Sequence, residues 1–208
     1  MLLRGSTYLR PSWGQPRNDP LGFAPKMIDH NHGSTGICGP AIYDAPQFPA
    51  EYRDSLFLCN PVNGKVHWDK LNSIGSSRFV ETQPDFITCT DPWFRPVDAA
   101  VGPDGALYIA DFYNAIIGHY EVELEHPKRD RTHGRVWRIR YQGDGKPLPT
   151  HLDLTKHGLK DLINRLGDPN LVTRTLALNY LVDNHGKACL LYTSPSPRDQ
   201  RGSGRGGA

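Results

Sequence analysis

The sequence has no apolar run long enough to cross a membrane and no motif that would attach a haem. A membrane-spanning helix requires about 18–20 consecutive apolar residues, and every apolar stretch in this chain of 208 residues is shorter. Its four cysteines lie singly, without the CxxCH spacing of a c-type haem site or the paired spacing of a zinc site. The sequence therefore predicts neither a membrane span nor a covalent haem centre within this stretch.

The sequence also has no large excess of positive or negative charge. The formal net charge is +2, and residues 189–208 account for it with three arginines against one aspartate. A balanced surface does not favour binding to nucleic acid. The opening residues, MLLRGSTYLRPSW, lack the apolar segment of a secretory signal, and we expect the chain to begin inside a domain.

Glycine (21) and proline (18) are abundant, which favours short strands and turns over long helices. The clearest pattern is the alternation of residues 97–101, which is typical of a half-buried strand. Asp104-Gly105 then predicts a tight turn, and a return strand runs from Leu107 to Asp111. After a long insertion, Arg135–Tyr141 predicts a third antiparallel strand.

Similar patterns precede this hairpin. Ser55–Pro61 and Lys65–Leu71 flank Asn63-Gly64, a pair typical of a type I′ turn, and Phe79–Thr88 predicts a strand interrupted by Pro84. At about 40–50 residues per blade, the strands predict two to three blades of a β-propeller. A closed propeller has at least about four blades, so the predicted fold class is mainly β, with a partial propeller over residues 1–143.

Residues 144–150 are rich in Gly and Pro and predict a linker. In the following segment, 151–188, Leu159, Leu162, Ile163 and Leu166 form one stripe of an amphipathic helix. Asp168-Pro169 is typical of the start of a second helix, which we expect to end near residues 184–186. The two helices predict a HEAT-like hairpin, a unit that usually stacks on neighbours to bury its apolar face.

Residues 189–208 differ in composition and origin from the rest of the chain. CLLYTSPSPRD is the translation of a nucleotide sequence that resembles a transposase-type sequencing adapter, and no core-forming residues follow it. We interpret this segment as an adapter-derived, disordered tail of a metagenomic gene fragment, which we exclude from fold reasoning. A genuine disordered tail is the alternative.

The run RPVDAAVGPDGALYIADFYN, followed by IIGHYEVELEHPKRDRTHGRVWRIRY, resembles the propeller domain of large bacterial membrane-bound dehydrogenases. Those proteins join a propeller of the glucose/sorbosone dehydrogenase type to HEAT-like helices and a haem-binding cytochrome c domain. The resemblance spans about residues 4–141. It implies that the chain is a fragment of a periplasmic or cell-envelope dehydrogenase that oxidises a sugar or polyol.

The resemblance also implies a cofactor and a redox partner. In the sugar dehydrogenases the cofactor is pyrroloquinoline quinone, often with calcium, and electrons would pass to a haem c domain that this chain does not contain. We expect the fragment alone to be inactive. Two other interpretations stay open: a non-catalytic propeller that binds carbohydrate or protein, and a scaffold for the haem domain.

The insertion Phe112–Gly134 is too long to be an ordinary hairpin loop and is rich in functional groups. If the protein is a dehydrogenase, a base must take the hydroxyl proton of the substrate. His119 is our preferred base because an imidazole titrates near neutral pH. Asp111 or Asp98 would orient this base or bind a cation.

The candidate cofactor-binding residues are Arg95, Tyr113, Asn114 and Arg131, of which the arginines would hold an anionic cofactor. Near the N-terminus, His30 and His32 would share one strand face and are candidate metal ligands. For each of these residues a structural role is the alternative: an ion pair between blades for the charged residues, or a hydrogen-bonded surface turn for the histidines.

Overall fold

The computed structural model describes residues 32–34, 36–118, 122–143 and 152–189. The chain divides into two compact units between Leu148 and Pro149, within the segment that the sequence assigns to a linker. We call the part before this division the β unit and the part after it the helical unit, and describe each by itself.

The first sheet of the β unit is built from consecutive antiparallel strands. In chain order they are β1 Cys38–Tyr43, β2 Ser55–Asn60, β3 Lys65–Ile74 and β4 Ser77–Thr82, and a short β5, Ile87–Thr88, pairs with β3. Because β2 and β3 each have a partner on both sides, their residues lie in the middle of the sheet.

The second sheet has three antiparallel strands, β6 Pro96–Val101, β7 Leu107–Asp111 and β8 Arg135–Ile139, in that order. The insertion at 112–134 therefore lies between β7 and β8, as predicted. Two antiparallel sheets followed by helices confirm the mainly β fold that the sequence predicts.

Two local features differ from the sequence prediction. The connection between β2 and β3 spans four residues, 61–64, and only Gly64 has a positive φ, at 62°, so it is not a two-residue type I′ turn. Strand β1 was not predicted, because Gly39-Pro40 interrupts its pattern. It forms nonetheless, with a register irregularity between Cys38 and Ala41.

The core of the β unit is shared by both sheets. Its buried members are Tyr43, Ala45, Phe48, Phe57, Cys59, Val66, Phe94, Ala99, Leu107 and Ile109. The buried hydroxyl of Tyr43 donates a 2.7 Å hydrogen bond to the carbonyl of Gly105 and accepts one of 2.9 Å from the backbone N–H of Phe48. Because Gly105 lies in the turn between β6 and β7, this hydroxyl ties the first sheet to the second.

The helical unit begins with a single 3-10 turn, Leu154–Lys156, followed by α1, Leu159–Arg165, and α2, Leu171–Cys189. Leu162, Ala177 and Leu181 are buried. Within the described residues, no helix combines the length and apolarity needed to traverse a membrane.

The start and end of α2 differ from the prediction. Asp168 and Pro169 lie before the helix, and Asn170 caps it by accepting the N–H of Val172 at 2.9 Å. The Asp168 carboxylate instead accepts the N–H of Asn170 at 2.8 Å, which fixes the turn between the helices. The helix continues past residues 184–186, with Gly186 in its interior.

We predict that Gly39→Ala strongly destabilises the β unit. Gly39 has a φ of 54°, and a Cβ at this position would lie 2.4 Å from Asp98 Cα, so the backbones of β1 and β6 would have to separate. We expect a loss of about 3–5 kcal/mol in the free energy of unfolding, measured by urea titration.

Gly75→Ala is the matched control. Gly75 has a similar φ of 60° but nothing within 4 Å of the added Cβ, so only backbone strain of about 1–2 kcal/mol is expected. Equal losses in the two variants would contradict a close approach of β1 and β6.

Candidate functional site

Asp111 lies at the end of β7 and collects hydrogen bonds from three segments of the chain. Its Oδ1 accepts from the backbone N–H groups of Arg95 and Tyr113, at 2.8 and 2.9 Å. Its Oδ2 accepts from Arg135 Nε at 2.8 Å and from Trp137 Nε1 at 2.9 Å. The carboxylate thereby links three segments: the residue before β6, the loop that follows β7, and strand β8.

The side chain of Asp111 is fully buried. Burial is the largest influence on its pKa and raises it, but the hydrogen bonds from the N–H of Arg95, from Trp137 and from the other donors together outweigh burial, so the pKa of Asp111 is lowered. Each oxygen already accepts two hydrogen bonds from the protein. Asp111, a predicted catalytic residue, therefore lies in a saturated structural network.

Arg135 and Tyr113 cover one side of this network. Arg135 bridges Asp111 and Asp91, with its Nη2 3.1 Å from Asp91 Oδ2. The Tyr113 ring lies over the guanidinium, 4.1 Å from ring centroid to Cζ, and packs against Trp93. Tyr113 has a φ of 51°, a left-handed conformation that is uncommon for a residue other than glycine. Its ring contacts the Arg135 guanidinium, and the contact with a cofactor stays a prediction.

Asn114 is buried and fixes the start of the insertion against its end. Its backbone N–H donates to the carbonyl of Trp93 at 3.0 Å, and its Nδ2 donates to the carbonyl of Asp130 at 3.0 Å. Its Oδ1 accepts the N–H of Ile116 at 3.3 Å. All three interactions are made with backbone groups, so Asn114 shapes the loop.

Arg95 also binds backbone groups. Its Nε donates to the carbonyl of Asn114 at 2.9 Å, Nη1 to the carbonyls of Pro61 and Val62 at 2.9 and 3.3 Å, and Nη2 to that of Ala115 at 3.1 Å. Burial, the largest cause, lowers the pKa of Arg95, but a guanidinium stays protonated in proteins. Four of its five N–H groups are used, which leaves one on Nη2 for a ligand.

A cleft of about 520 Å³ opens beside Arg95. We call it the Arg95 cleft; it is lined by Val62, Arg95, Ala115, Ile116, Ile117 and Gly118. One wall comes from the connection between β2 and β3 and the other from the first residues after β7, so the cleft lies where the loops of two neighbouring sheets meet. Its chemistry is an apolar surface beside one cationic donor.

A second arginine organises the insertion. Arg129 donates to the carbonyls of Gly118, Val122 and Glu123, at 3.3, 3.0 and 3.0 Å respectively. Arg131, by contrast, has a side chain more than half exposed and binds Leu124 and Glu125, its neighbours within the loop. Arg131 does not line the Arg95 cleft.

His32 belongs to a buried polar cluster in the first sheet. Its Nε2 lies 2.8 Å from Asp69 Oδ2, and its ring stacks on that of His67 with the centroids 4.0 Å apart. His67 Nδ1 lies 2.6 Å from Asp85 Oδ1, and its Nε2 lies 2.9 Å from Asn60 Nδ2. Both imidazoles are about 95% buried, since 5% of each side chain is exposed.

The contacts of Asn60 fix the protonation of His67. Asn60 Oδ1 accepts from Ser34 Oγ and from the N–H of Asn63, so the amide N–H₂ faces His67 and the ring accepts at Nε2. The Nδ1–H then donates to Asp85, which makes His67 a neutral imidazole. Burial, the largest cause, lowers the pKa of His67 and outweighs the hydrogen bond to Asp85, which raises it.

The predicted metal pair is only partly described. His30 lies outside the described residues, as does His119, the predicted base. Among the residues that the structure describes, no group of three or more His, Cys, Asp or Glu side chains could hold a metal ion. In the described structure His32 Nε2 contacts Asp69, and the metal pair stays a prediction.

Sequence reasoning missed the partners of His32. His67 and Asp69 alternate with Val66 and Trp68 along β3, so the two pairs lie on opposite faces of the strand. His67 and Asp69 are nevertheless buried, because the ring of His32 stacks on His67 and its Nε2 contacts Asp69, so His32 packs on their face of the sheet. The signal that could have found this cluster was a pair of polar residues two positions apart, His67 and Asp69, in a strand that is paired on both edges.

Residues 13–143 match a protein family described as a domain of unknown function, DUF7133. The match covers more than half of the chain, so the chain belongs to this family. No curated protein matches the chain, and no solved structure matches it either.

We predict that Asp111→Asn destabilises the β unit by about 3 kcal/mol at neutral pH, because an amide cannot accept four hydrogen bonds from buried donors. The pKa of Asp111 is lowered in the folded state, so its contribution is present above the ordinary value of 3.8 and is lost as the pH falls through the folded-state pKa. The difference in stability between wild type and variant should therefore shrink in acid.

Urea unfolding of both proteins at neutral and acidic pH measures this difference. Asp98→Asn is the control, because Asp98 is exposed and its carboxylate accepts only the N–H of Ala99. If Asp111→Asn were no more destabilising than Asp98→Asn, the network would not hold the sheet together.

Proposed function

We propose that the β unit is part of a β-propeller and that its Arg95 cleft binds a small polyhydroxy ligand, a sugar or polyol. The propeller is supported by the strand order, because each sheet joins consecutive antiparallel strands, as a propeller blade does. Packing of β1 against β6, the first strands of the two sheets, also suits neighbouring blades around a common axis.

The observation that carries the ligand assignment is the composition of the Arg95 cleft. Val62, Ile116 and Ile117 present apolar surface, which suits the C–H faces of a sugar ring. Arg95 lies beside this surface with one N–H of Nη2 remaining to donate to a hydroxyl oxygen. The volume of about 520 Å³ is ample for a monosaccharide.

The proposed activity of the longer protein is oxidation of that sugar or polyol, with electrons passed to a cytochrome c domain. Its support is the resemblance of residues 4–141 to dehydrogenase propellers. His119 stays the proposed base, and a loop supplied by a rigid sheet end is where such a group is usually displayed. Non-catalytic ligand binding is the second candidate, favoured by the saturated network around Asp111.

Asp111 and Arg95 do not fit the calcium and quinone cofactor that the resemblance implies. A calcium ion requires six to eight oxygen ligands, yet the oxygens of Asp111 are occupied by four protein donors. Arg95 has one N–H left, too few for a bidentate contact with a carboxylate. We therefore assign no catalytic step to that cofactor.

We also propose that the helical unit is one repeat of a HEAT-like array, and its exposed apolar surface supports this role. Its exposed apolar side chains include Leu159, Ile163, Leu166, Leu171, Leu178 and Val182. In repeat proteins such surfaces are buried against neighbouring repeats.

Ile117→Trp tests the ligand cleft. Ile117 is partly exposed and lines the Arg95 cleft, so an indole at this position should fill the space with little effect on the core. We expect binding of glucose or sorbitol, measured by saturation-transfer NMR titration, to weaken at least about tenfold, or 1.4 kcal/mol.

Leu124→Trp is the matched control, because Leu124 is more exposed than Ile117 and lies outside the cleft. Thermal melts of both variants show whether the fold is retained. Equal binding by wild type and Ile117→Trp would refute the cleft, and absence of binding by the wild type would refute the polyhydroxy ligand.

His119→Ala tests catalysis in a family member that shows dehydrogenase activity with a sugar or polyol. Loss of the general base should lower kcat by about 100-fold or more. Arg131→Ala should mainly raise KM if Arg131 binds cofactor or substrate. His126→Ala is the control for loop perturbation, because among the described residues the hydrogen bond of the His126 ring is with the N–H of Lys128. Unchanged kinetics in His119→Ala would contradict the role of His119 as the general base, and non-catalytic ligand binding would then be the favoured function.

A further inference from the structure

Two cysteines face each other across the first pair of strands. Cys38 and Cys59 are directly opposed in the antiparallel register of β1 and β2. Both are free thiols in this structure. Cys59 is completely buried in the core, and Cys38 packs against the same core cluster. The two side chains therefore lie on the same face of the sheet.

This placement matches the geometric requirement of a disulfide. Directly opposed residues in antiparallel strands have Cα atoms about 4.5–5.5 Å apart, within the range of about 4.4–6.8 Å that disulfides span. Of the other two cysteines, Cys89 follows β5 and is exposed, and Cys189 is the last residue of α2 in the helical unit. Strand β5 pairs with β3, not with β1 or β2.

We propose that Cys38 and Cys59 are a disulfide-forming pair that links β1 to β2 when the protein meets a disulfide oxidant. One sulfur attacks the oxidant RSSR to give a mixed disulfide and releases one RSH. The second thiol then attacks the protein-bound sulfur and releases the other RSH. The two protein thiols lose two electrons and two protons, and the oxidant becomes two thiols.

The environment sets the order of the two steps. Cys38 is only half-buried, so it is the thiol that an external oxidant reaches first. Burial is the main cause that raises the pKa of both thiols, to about 12 for Cys59, and the charge of Cys38 contributes to the higher pKa of Cys59. Since the thiolate is the attacking species, oxidation is slow near neutral pH and accelerates as the pH rises.

The bond would stabilise the least regular part of the sheet. Strand β1 has its register irregularity next to Cys38, and Gly39 packs directly on the backbone of Asp98 in β6. A covalent link to β2 restricts the unfolded chain and holds β1 at this contact. We expect the melting temperature to rise by about 5–10 °C on oxidation and to fall back on reduction.

The test uses the full chain with Cys89→Ser and Cys189→Ser, so that only the proposed pair remains. Folded protein is incubated with oxidised glutathione at pH 8.5, then denatured and alkylated with iodoacetamide. Intact mass should show a loss of two hydrogens and no alkylation, and peptide mapping should show the Cys38 and Cys59 peptides joined. The same variant carrying Cys38→Ser is the matched control, which should keep one alkylatable or glutathionylated thiol.

Each outcome decides the proposal. Two alkylated cysteines after prolonged oxidation would overturn it, as would a disulfide that lowers the melting temperature, because that bond would not fit the native register. If the serine variants fail to fold, peptide mapping of the oxidised wild-type chain decides it. A Cys38–Cys59 peptide then supports the pair, and links to Cys89 or Cys189 overturn it.

Discussion

The buried carboxylate of Asp111 is the interaction on which the second sheet and its loops depend. A charge in a protein interior is stable only when hydrogen bonds replace its hydration, and Asp111 receives them from Arg95, Tyr113, Arg135 and Trp137. Those donors belong to three separate segments, so satisfying one carboxylate fixes where β6 begins, how the chain leaves β7 and how β8 returns. Tyr113 combines this hydrogen bond with a left-handed φ of 51°.

This arrangement bears directly on which residues can do chemistry. Residues that look functional in the sequence, because they are charged or aromatic and lie near a long loop, are the ones that build the network. Asp111 has its oxygens filled, the Tyr113 ring lies on Arg135, and Asn114 binds loop backbone. The loops that this network holds in place form the Arg95 cleft, which is open to solvent. Function in the described part of the β unit is therefore better sought in the shape and lining of that cleft than in the network itself.

The β hairpins were predictable because alternation and turn residues are local properties of the sequence. The end of β7 at Asp111 and the start of β8 at Arg135 agree with the prediction, and so does the insertion between them. The roles of individual polar residues were not predictable, because they depend on which segments the fold brings together. His67 is an example: its contacts with Asn60 in β2 and with Asp85 beyond β4 determine which ring nitrogen carries the proton, and no spacing in the sequence predicts either contact. Strand β1 was missed for a related reason, since its pairing with β2 outweighs the poor strand propensity of Gly39-Pro40.

The two arginines that shape the loops do so in a way that leaves the loop sequence free to change. Arg95 and Arg129 bind carbonyl oxygens of the backbone, which every residue type carries. A substitution at Ile116 or Ile117 would thus alter the wall of the Arg95 cleft without removing an acceptor from either arginine. Arg95, Asp111 and Arg129 therefore hold the path of the loops, whereas the side chains between them set the lining of the cleft.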